Sequence, residues 1–321
     1  MTRDRQRKAR SLTAAPLLLI LILATGLRFH HIGTQSFWND EGNTARLVER
    51  PVRLITEGAA GDIHPPGYYL LLHGWRAKVG ESEFALRAFS ALCGVLTVAA
   101  AAASATMPRR SKLAAWTAAT LVAVHPLAVA YSQEARMYAQ LGLVTALTLW
   151  AALALVRHDR TSTSLSGILP AAGLAASVGA GLYTHYAYAL ALTGLNLAFG
   201  LFWLLDHPCR WSLLGRWVVA HAVGGLFFLP WAPIALGARG WRPPDLAIGT
   251  AVGDVSRTLV AGITLPEPIP PGALFCAAAL GLWAVLFSAR ARQDPLLRCT
   301  TWAALGMATI PPVLIVGAGL Y

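Results

Sequence analysis

Apolar residues in this chain come in blocks, and nine of the blocks are long enough to cross a bilayer or nearly so. They lie at about residues 13–28, 84–106, 113–130, 139–156, 167–183, 187–205, 216–238, 272–289 and 299–318. A bilayer core takes roughly 20 apolar residues per helix, and lipid offers the backbone no hydrogen-bond partners, so such segments are expected to be helical. Charged residues make up 13% of the chain, about half the share in an ordinary soluble domain. The fold class expected is therefore all-α, a polytopic helical membrane protein with about nine transmembrane helices.

Charge then sets the expected orientation. With the N-terminus inside, more than half of the 26 basic residues fall on the cytoplasmic side, including Arg109, Arg110, Lys112, Arg157, Arg160, Arg210 and Arg216. That asymmetry is the positive-inside pattern, and it accounts for the net charge of +11 without nucleic acid as a partner. Residues 1–12 read as a cytoplasmic basic tail and 13–321 as the membrane domain, with a first outer loop over 29–83 and another over 239–271. The basic start followed by Leu12–Leu27 has the shape of a signal sequence; with further spans after it, it reads as an uncleaved anchor. The four cysteines (Cys93, Cys209, Cys276, Cys299) fall in spans or on the inner side, so neither a disulfide nor a zinc site is expected.

Against this background the adjacent carboxylates Asp40 and Glu41 stand out, because acids beside a bilayer are costly unless water, a cation or a substrate meets them. They open a segment, 39–50, that suits a short interfacial helix. A second interfacial helix is expected at 68–75, with its aromatic residues at headgroup depth. Three further polar groups are expected on the same outer face. They are His64 with Arg87 after it, the turn carrying Tyr131, Glu134, Arg136 and Tyr138, and His185 after the fifth apolar run. Glu134 and Tyr138 are four apart, which a helical turn would place on one face. The loop over 239–271 carries Trp241-Arg242-Pro243-Pro244, and its apolar piece 255–265 is read as a re-entrant or lid segment.

Those residue types suit transfer of a sugar from a lipid-linked phosphate. Asp40 or Glu41 can deprotonate the acceptor hydroxyl. Arg87 and Arg136 can hold the departing phosphate, and His64 or His185 can donate to it. Tyr131 and Tyr138 offer stacking faces and hydroxyls to a sugar ring. Structural readings stand beside these: Asp40 and Glu41 as charges favoured at a helix N-terminus, Glu134 with Arg136 as a solvated loop pair, Arg87 as an anchor at the headgroups. No internal repeat is found, and the acids sit at span ends, which argues against a transporter.

The ordered segments FWNDEGNTARL (37–47), HPPGYYLLL (64–72), LRAFSALCGVLTV (86–98), HPLAVAYSQEARMYA (125–139) and YTHYAYAL (183–190) resemble the GT-C class of membrane glycosyltransferases. Within it they are most similar to the protein O-mannosyltransferase and aminoarabinose-transferase branch, over roughly residues 13–260. The resemblance implies a multi-pass protein of the cell membrane with an extracytoplasmic active site and a large first outer loop. It implies inverting transfer of a mannose-type hexose, or a related sugar, from a polyprenyl-phosphate donor to a protein, glycan or lipid hydroxyl. It matches Asp40 to the essential acid of the first loop, with Glu41 beside it, and Glu134 to the second acidic motif. Some members bridge these motifs with a divalent ion and others do not, so Mg2+ or Mn2+ on Asp40 and Glu134 is left open. Members usually continue well beyond this length, which leaves as the alternative a catalytically incomplete paralogue that binds polyprenyl lipid or partners a longer transferase.

Overall fold

The computed structural model describes residues 3–108, 111–161, 167–205, 210–237 and 294–317. The outer loop at 239–271, the eighth apolar run, Cys209 and Cys276 lie outside them. The first apolar run becomes α1 (Arg3–Phe29), so helix continues back through the basic tail. The second becomes α5 (Glu83–Ala105), started by Ser82, whose hydroxyl accepts from Ala85 N at 3.2 Å. Later spans are α8 (Tyr138–Thr161), α9 (Ile168–Thr184), α10 (Tyr188–Leu205) and α11 (Trp211–Phe228). α13 (Pro295–Gly317) packs along α10, where Gly194 and Gly306 let the backbones meet. Among the described residues, α5, α8, α10 and α11 are long and apolar enough to cross a membrane, while α9 and the apolar part of α1 are shorter.

Two of the expected spans are broken, each at proline. The third apolar run divides into α6 (Lys112–Val124) and α7 (Pro126–Ser132), bent by 60° at His125. Pro126 has no N–H to continue the ladder and pushes His125 to an extended conformation. The break leaves carbonyls at the end of α6, and the guanidinium of Arg28 takes them, donating to Val122 O at 3.0 Å and Ala123 O at 2.9 Å. Arg28 is fully buried, not part of the outer loop; Gly94 makes room for it, since a Cβ there would lie 2.7 Å from its Nε. The seventh run likewise ends at Phe228 and resumes as α12 (Ala232–Gly237) beyond Pro230.

The first loop folds into three helices rather than two. α2 (Asn39–Val48) matches expectation, but α3 (Val52–Ala60), seated through Ile55 and Ala59, was not anticipated. α4 (Gly67–Val79) differs from expectation in its orientation. Tyr68 and Tyr69 are 0% and 2% exposed and join Leu72, Leu86, Met137 and Trp231 in a core beneath the loop instead of facing headgroups. Burial pushes both phenols up from their ordinary range.

Gly67 sets where α4 begins. A Cβ at this position would lie 2.5 Å from Tyr183 O at the end of α9, so only glycine lets the two segments touch. That contact carries His64 to the end of α9. Gly67→Ala is expected to lower stability by about 1–3 kcal/mol and to move His64 away from His185, measured by thermal unfolding and by loss of a 64–185 cross-link in a double-cysteine variant.

Candidate active site

The site is built around Glu41, which is 1% exposed. Arg87 reaches it from the first turns of α5 as a two-pronged pair, Nε to Oε1 at 2.8 Å and Nη2 to Oε2 at 2.6 Å. The remaining N–H groups of Arg87 go to Ile32 O and Gln35 O, both at 2.7 Å, and to Ser36 O at 3.2 Å. Glu41 also accepts from Ala135 N at 2.7 Å and from Trp38 N at 3.4 Å. One ion pair thus joins the end of α1, the first turn of α2, α5 and the turn before α8.

This revises the expected role of Arg87. All five of its N–H donors are engaged and its side chain is 6% exposed, so it neither holds a phosphate nor snorkels to headgroups. With Glu41 it fixes residues 32–36 and the start of α2 against α5.

Asp40, one residue earlier, points elsewhere. Its side chain is 38% exposed and stands 3.6 Å from Nη2 of Arg136. Arg136 donates from Nη1 to Thr44 Oγ1 at 3.2 Å, and its Nε has no partner among the described residues. Burial works against the Arg136 charge, but the hydroxyls of Tyr69 and Tyr138 and the Asp40 carboxylate outweigh it and raise its pKa. Arg136 and Glu134 lie in residues 133–137, which are not helical, so Glu134 and Tyr138 do not share a helical turn. The segment is pinned by Gln133 on Leu27 O and His30 O, by Ala135 on Glu41, and by Ser90 Oγ on Arg136 O at 3.2 Å.

Glu134 has a buried Oε2 without a partner among the described residues. Burial first, then the nearby Glu41 charge, pushes its pKa up. Arg136 stands as the cation beside Asp40. Among the described residues no three His, Cys, Asp or Glu side chains converge on a metal position. Asp40 and Glu134 are the residues that would hold a divalent ion, and the chemistry proposed below runs through protein groups alone.

Two histidines and two tyrosines border the same space. The rings of His64 and His185 are 5.1 Å apart, and those of Tyr131 and Tyr138 4.6 Å apart, with Tyr138 6.1 Å from His185. Tyr131 and Tyr138 also line a cavity of about 180 Å3 that runs between α5, α7 and α8 past Thr97 and Gly142. Asp62, absent from the sequence expectations, bonds both His64 Nδ1 (3.4 Å) and Tyr69 OH (3.2 Å). Its closeness to His64 and Tyr69 across a turn carried no periodicity that could have flagged it.

The sequence profile of the dolichyl-phosphate-mannose-protein mannosyltransferase family matches residues 64–238, more than half of the chain. The chain belongs to that family. The matched stretch holds His64, Arg87, Glu134, Arg136 and His185; Asp40 and Glu41 precede it. Similar solved structures include ArnT from Cupriavidus metallidurans, at 15% identity and TM-score 0.61, covering 98% of this chain and 60% of ArnT in the apo state. The same enzyme bound to undecaprenyl phosphate also matches at 0.61. The archaeal oligosaccharyltransferase AglB from Archaeoglobus fulgidus matches at 16% identity and 0.55, covering 90% of this chain and 39% of AglB. The S. cerevisiae protein O-mannosyltransferase Pmt1–Pmt2 complex, bound to the sugar donor, matches at 14% and 0.52, covering 80% of this chain and 38% of that one. The mannosyltransferase-family chain therefore has the GT-C membrane fold, and it spans 38–60% of these relatives' lengths. No curated protein matches the sequence.

Two outcomes follow from the electrostatics. Arg87→Ala strands the buried Glu41 charge and should cost roughly 3–5 kcal/mol, whereas Asp40→Ala should stay within about 1 kcal/mol, both read from unfolding in detergent. Glu134→Gln should be more stable than wild type at neutral pH. Its folded-state pKa is raised, so the ionised carboxylate costs stability above the ordinary value of 4.5, and the gap should close as pH falls to that value.

Proposed function

We propose that this chain transfers a mannose-type hexose from a polyprenyl-phosphate donor to an acceptor hydroxyl, at the extracytoplasmic face of the cell membrane. The reaction is a single displacement. Asp40 takes the proton of the acceptor hydroxyl as its oxygen bonds to the anomeric carbon. The bond from that carbon to the phosphate oxygen breaks with inversion, and the pair of electrons leaves on the polyprenyl phosphate. Arg136 balances the charge that develops there. Tyr131 and Tyr138 flank the sugar, and Glu134 orients it by hydrogen bonding.

The observation that carries this reading is the divergence of the acidic pair. Glu41 is locked into the protein by Arg87, while Asp40 is open and faces a guanidinium. A purely structural acidic pair has no use for that division. Family membership and the fold shared with undecaprenyl-phosphate-bound ArnT support the donor class; the acceptor hydroxyl belongs to a protein, a glycan or a lipid. A second reading is a polyprenyl-lipid-binding partner of a longer transferase.

Transfer from radiolabelled polyprenyl-phosphate mannose in proteoliposomes tests both readings. Wild type is expected to transfer, and Asp40→Asn to lose about 10²- to 10⁴-fold at unchanged melting temperature. An Asn variant as active as wild type removes Asp40 as the base. No transfer by wild type, together with co-purification of a longer homologue, replaces the first reading with the second.

A further inference from the structure

Hydrogen bonding at Nδ1 favours opposite tautomers for the two histidines of the site. Nδ1 of His185 accepts the backbone N–H of Ala187 at 3.0 Å. A nitrogen that accepts carries no proton, so the proton of the neutral ring is on Nε2. Burial, the largest cause, together with the Arg136 charge holds the His185 pKa down at about 4, which keeps the ring neutral near pH 7. It is not a cation for phosphate.

His64 is set the other way. Its Nδ1 faces Oδ2 of Asp62 at 3.4 Å. The hydrogen bond from His64, working against burial, holds the Asp62 carboxyl down at about 2, so Asp62 can only accept. Nδ1 of His64 therefore carries a proton, and in the singly protonated ring Nε2 is bare. Oδ1 of Asp62 is occupied by Ile63 N at 2.7 Å, and Oδ2 also accepts from Tyr69 OH at 3.2 Å. Around this pair stand Tyr69 from α4, Tyr138 from α8, and Arg136 from the turn between α7 and α8. No hydrogen bond joins the two rings, and neither Nε2 has a partner among the described residues.

We propose that His64 and His185 form an acceptor–donor clamp for a hydroxyl of the transferred sugar, and that Asp62 is the positioning residue that sets its polarity. The hydroxyl donates to Nε2 of His64 and accepts from Nε2–H of His185. This rests on the glycosyl-transfer reading above and deepens it: these histidines select the sugar, and phosphate is left to Arg136. A phosphate oxygen only accepts, so it cannot satisfy a bare nitrogen, whereas a hydroxyl satisfies both partners at once.

Asp62→Asn reverses one half of the clamp without emptying the site. Ile63 N–H requires an acceptor at the Oδ1 position, so the amide nitrogen takes the place of Oδ2. It then donates to Nδ1 of His64 and moves the ring proton to Nε2. The test compares polyprenyl-phosphate mannose with its monodeoxyfluoro analogues in wild type and Asp62→Asn. Fluorine keeps a weak acceptor but has no proton to give.

At one ring position the wild-type preference for hydroxyl over fluorine, in kcat/KM, should exceed that of the variant by about 10-fold. The inductive effect of fluorine on bond cleavage is common to both and cancels in this ratio. Equal preferences at every position overturn the proposal. Nitrogen-15 NMR of histidine-labelled protein in nanodiscs, assigned with His64→Gln and His185→Gln, reads the tautomers without turnover. Expected at neutral pH are an unprotonated Nδ1 on His185, an unprotonated Nε2 on His64, and reversal of His64 in Asp62→Asn. Either ring in the opposite state overturns the clamp, even if transfer proceeds. Tautomers as expected with no transfer of any mannosyl donor would instead count against the transferase reading.

Discussion

The buried pair of Glu41 and Arg87 is the constraint around which the site end of this bundle is organised. Taking two charges out of water is costly, and a well-packed apolar pair of the same size would often be as stable. What an apolar pair cannot do is impose direction. The planar fork of Arg87 meets both oxygens of Glu41 and three loop carbonyls at once, which sets the path of residues 32–36 and the start of α2 against α5. Successive residues on a helix point about 100° apart. Fixing Glu41 inward therefore turns Asp40 outward, and the open acid owes its placement to its buried neighbour.

The second organising element is a deliberate failure of helix. Pro126 ends α6, and the carbonyls it frees are gathered by Arg28, whose own burial depends on Gly94. Beyond the break, residues 133–137 run without helical bonds, and their polar groups are taken up by α1, α2 and α5. Unpaired backbone inside a membrane is tolerated where protein satisfies it. Here that irregular stretch delivers Glu134 and Arg136 to Asp40, which a straight span could not.

The all-α membrane class, the order of the helices and the cluster of acid, arginine, tyrosine and histidine were legible in the sequence, because block hydrophobicity and ordered motifs are local signals. Roles were less legible. Arg87 and Arg136 look alike as residues at the outer ends of spans; what separates them is the number of carbonyls within reach of each, a tertiary fact. The aromatic run of α4 reads as an interface belt, yet Tyr68 and Tyr69 turn inward because Gly67 seats the helix against Tyr183. The bend at Pro126 was written in the sequence, but hydropathy averaged across it. Arg28 and Asp62 leave no such local signal: each acts through partners that are distant in the chain or carry no pattern.

Taken together, the charges at the site are few and divided. Arg136 stands against Asp40 before the proposed reaction, and its raised pKa keeps it cationic throughout. When Asp40 accepts the proton of the acceptor, the carboxylate that held Arg136 becomes neutral. At that moment the phosphate, singly charged as a diester in the donor, gains a second negative charge. In the proposed displacement the guanidinium loses one anionic partner as charge grows on the other, so the same cation serves both ends and net charge in the site does not change. A second fixed cation would bind the phosphate before and after reaction alike, favouring ground state and product as much as the transition state. Keeping Arg87 engaged elsewhere and His185 neutral leaves that compensation to one group, which is where differential stabilisation requires it.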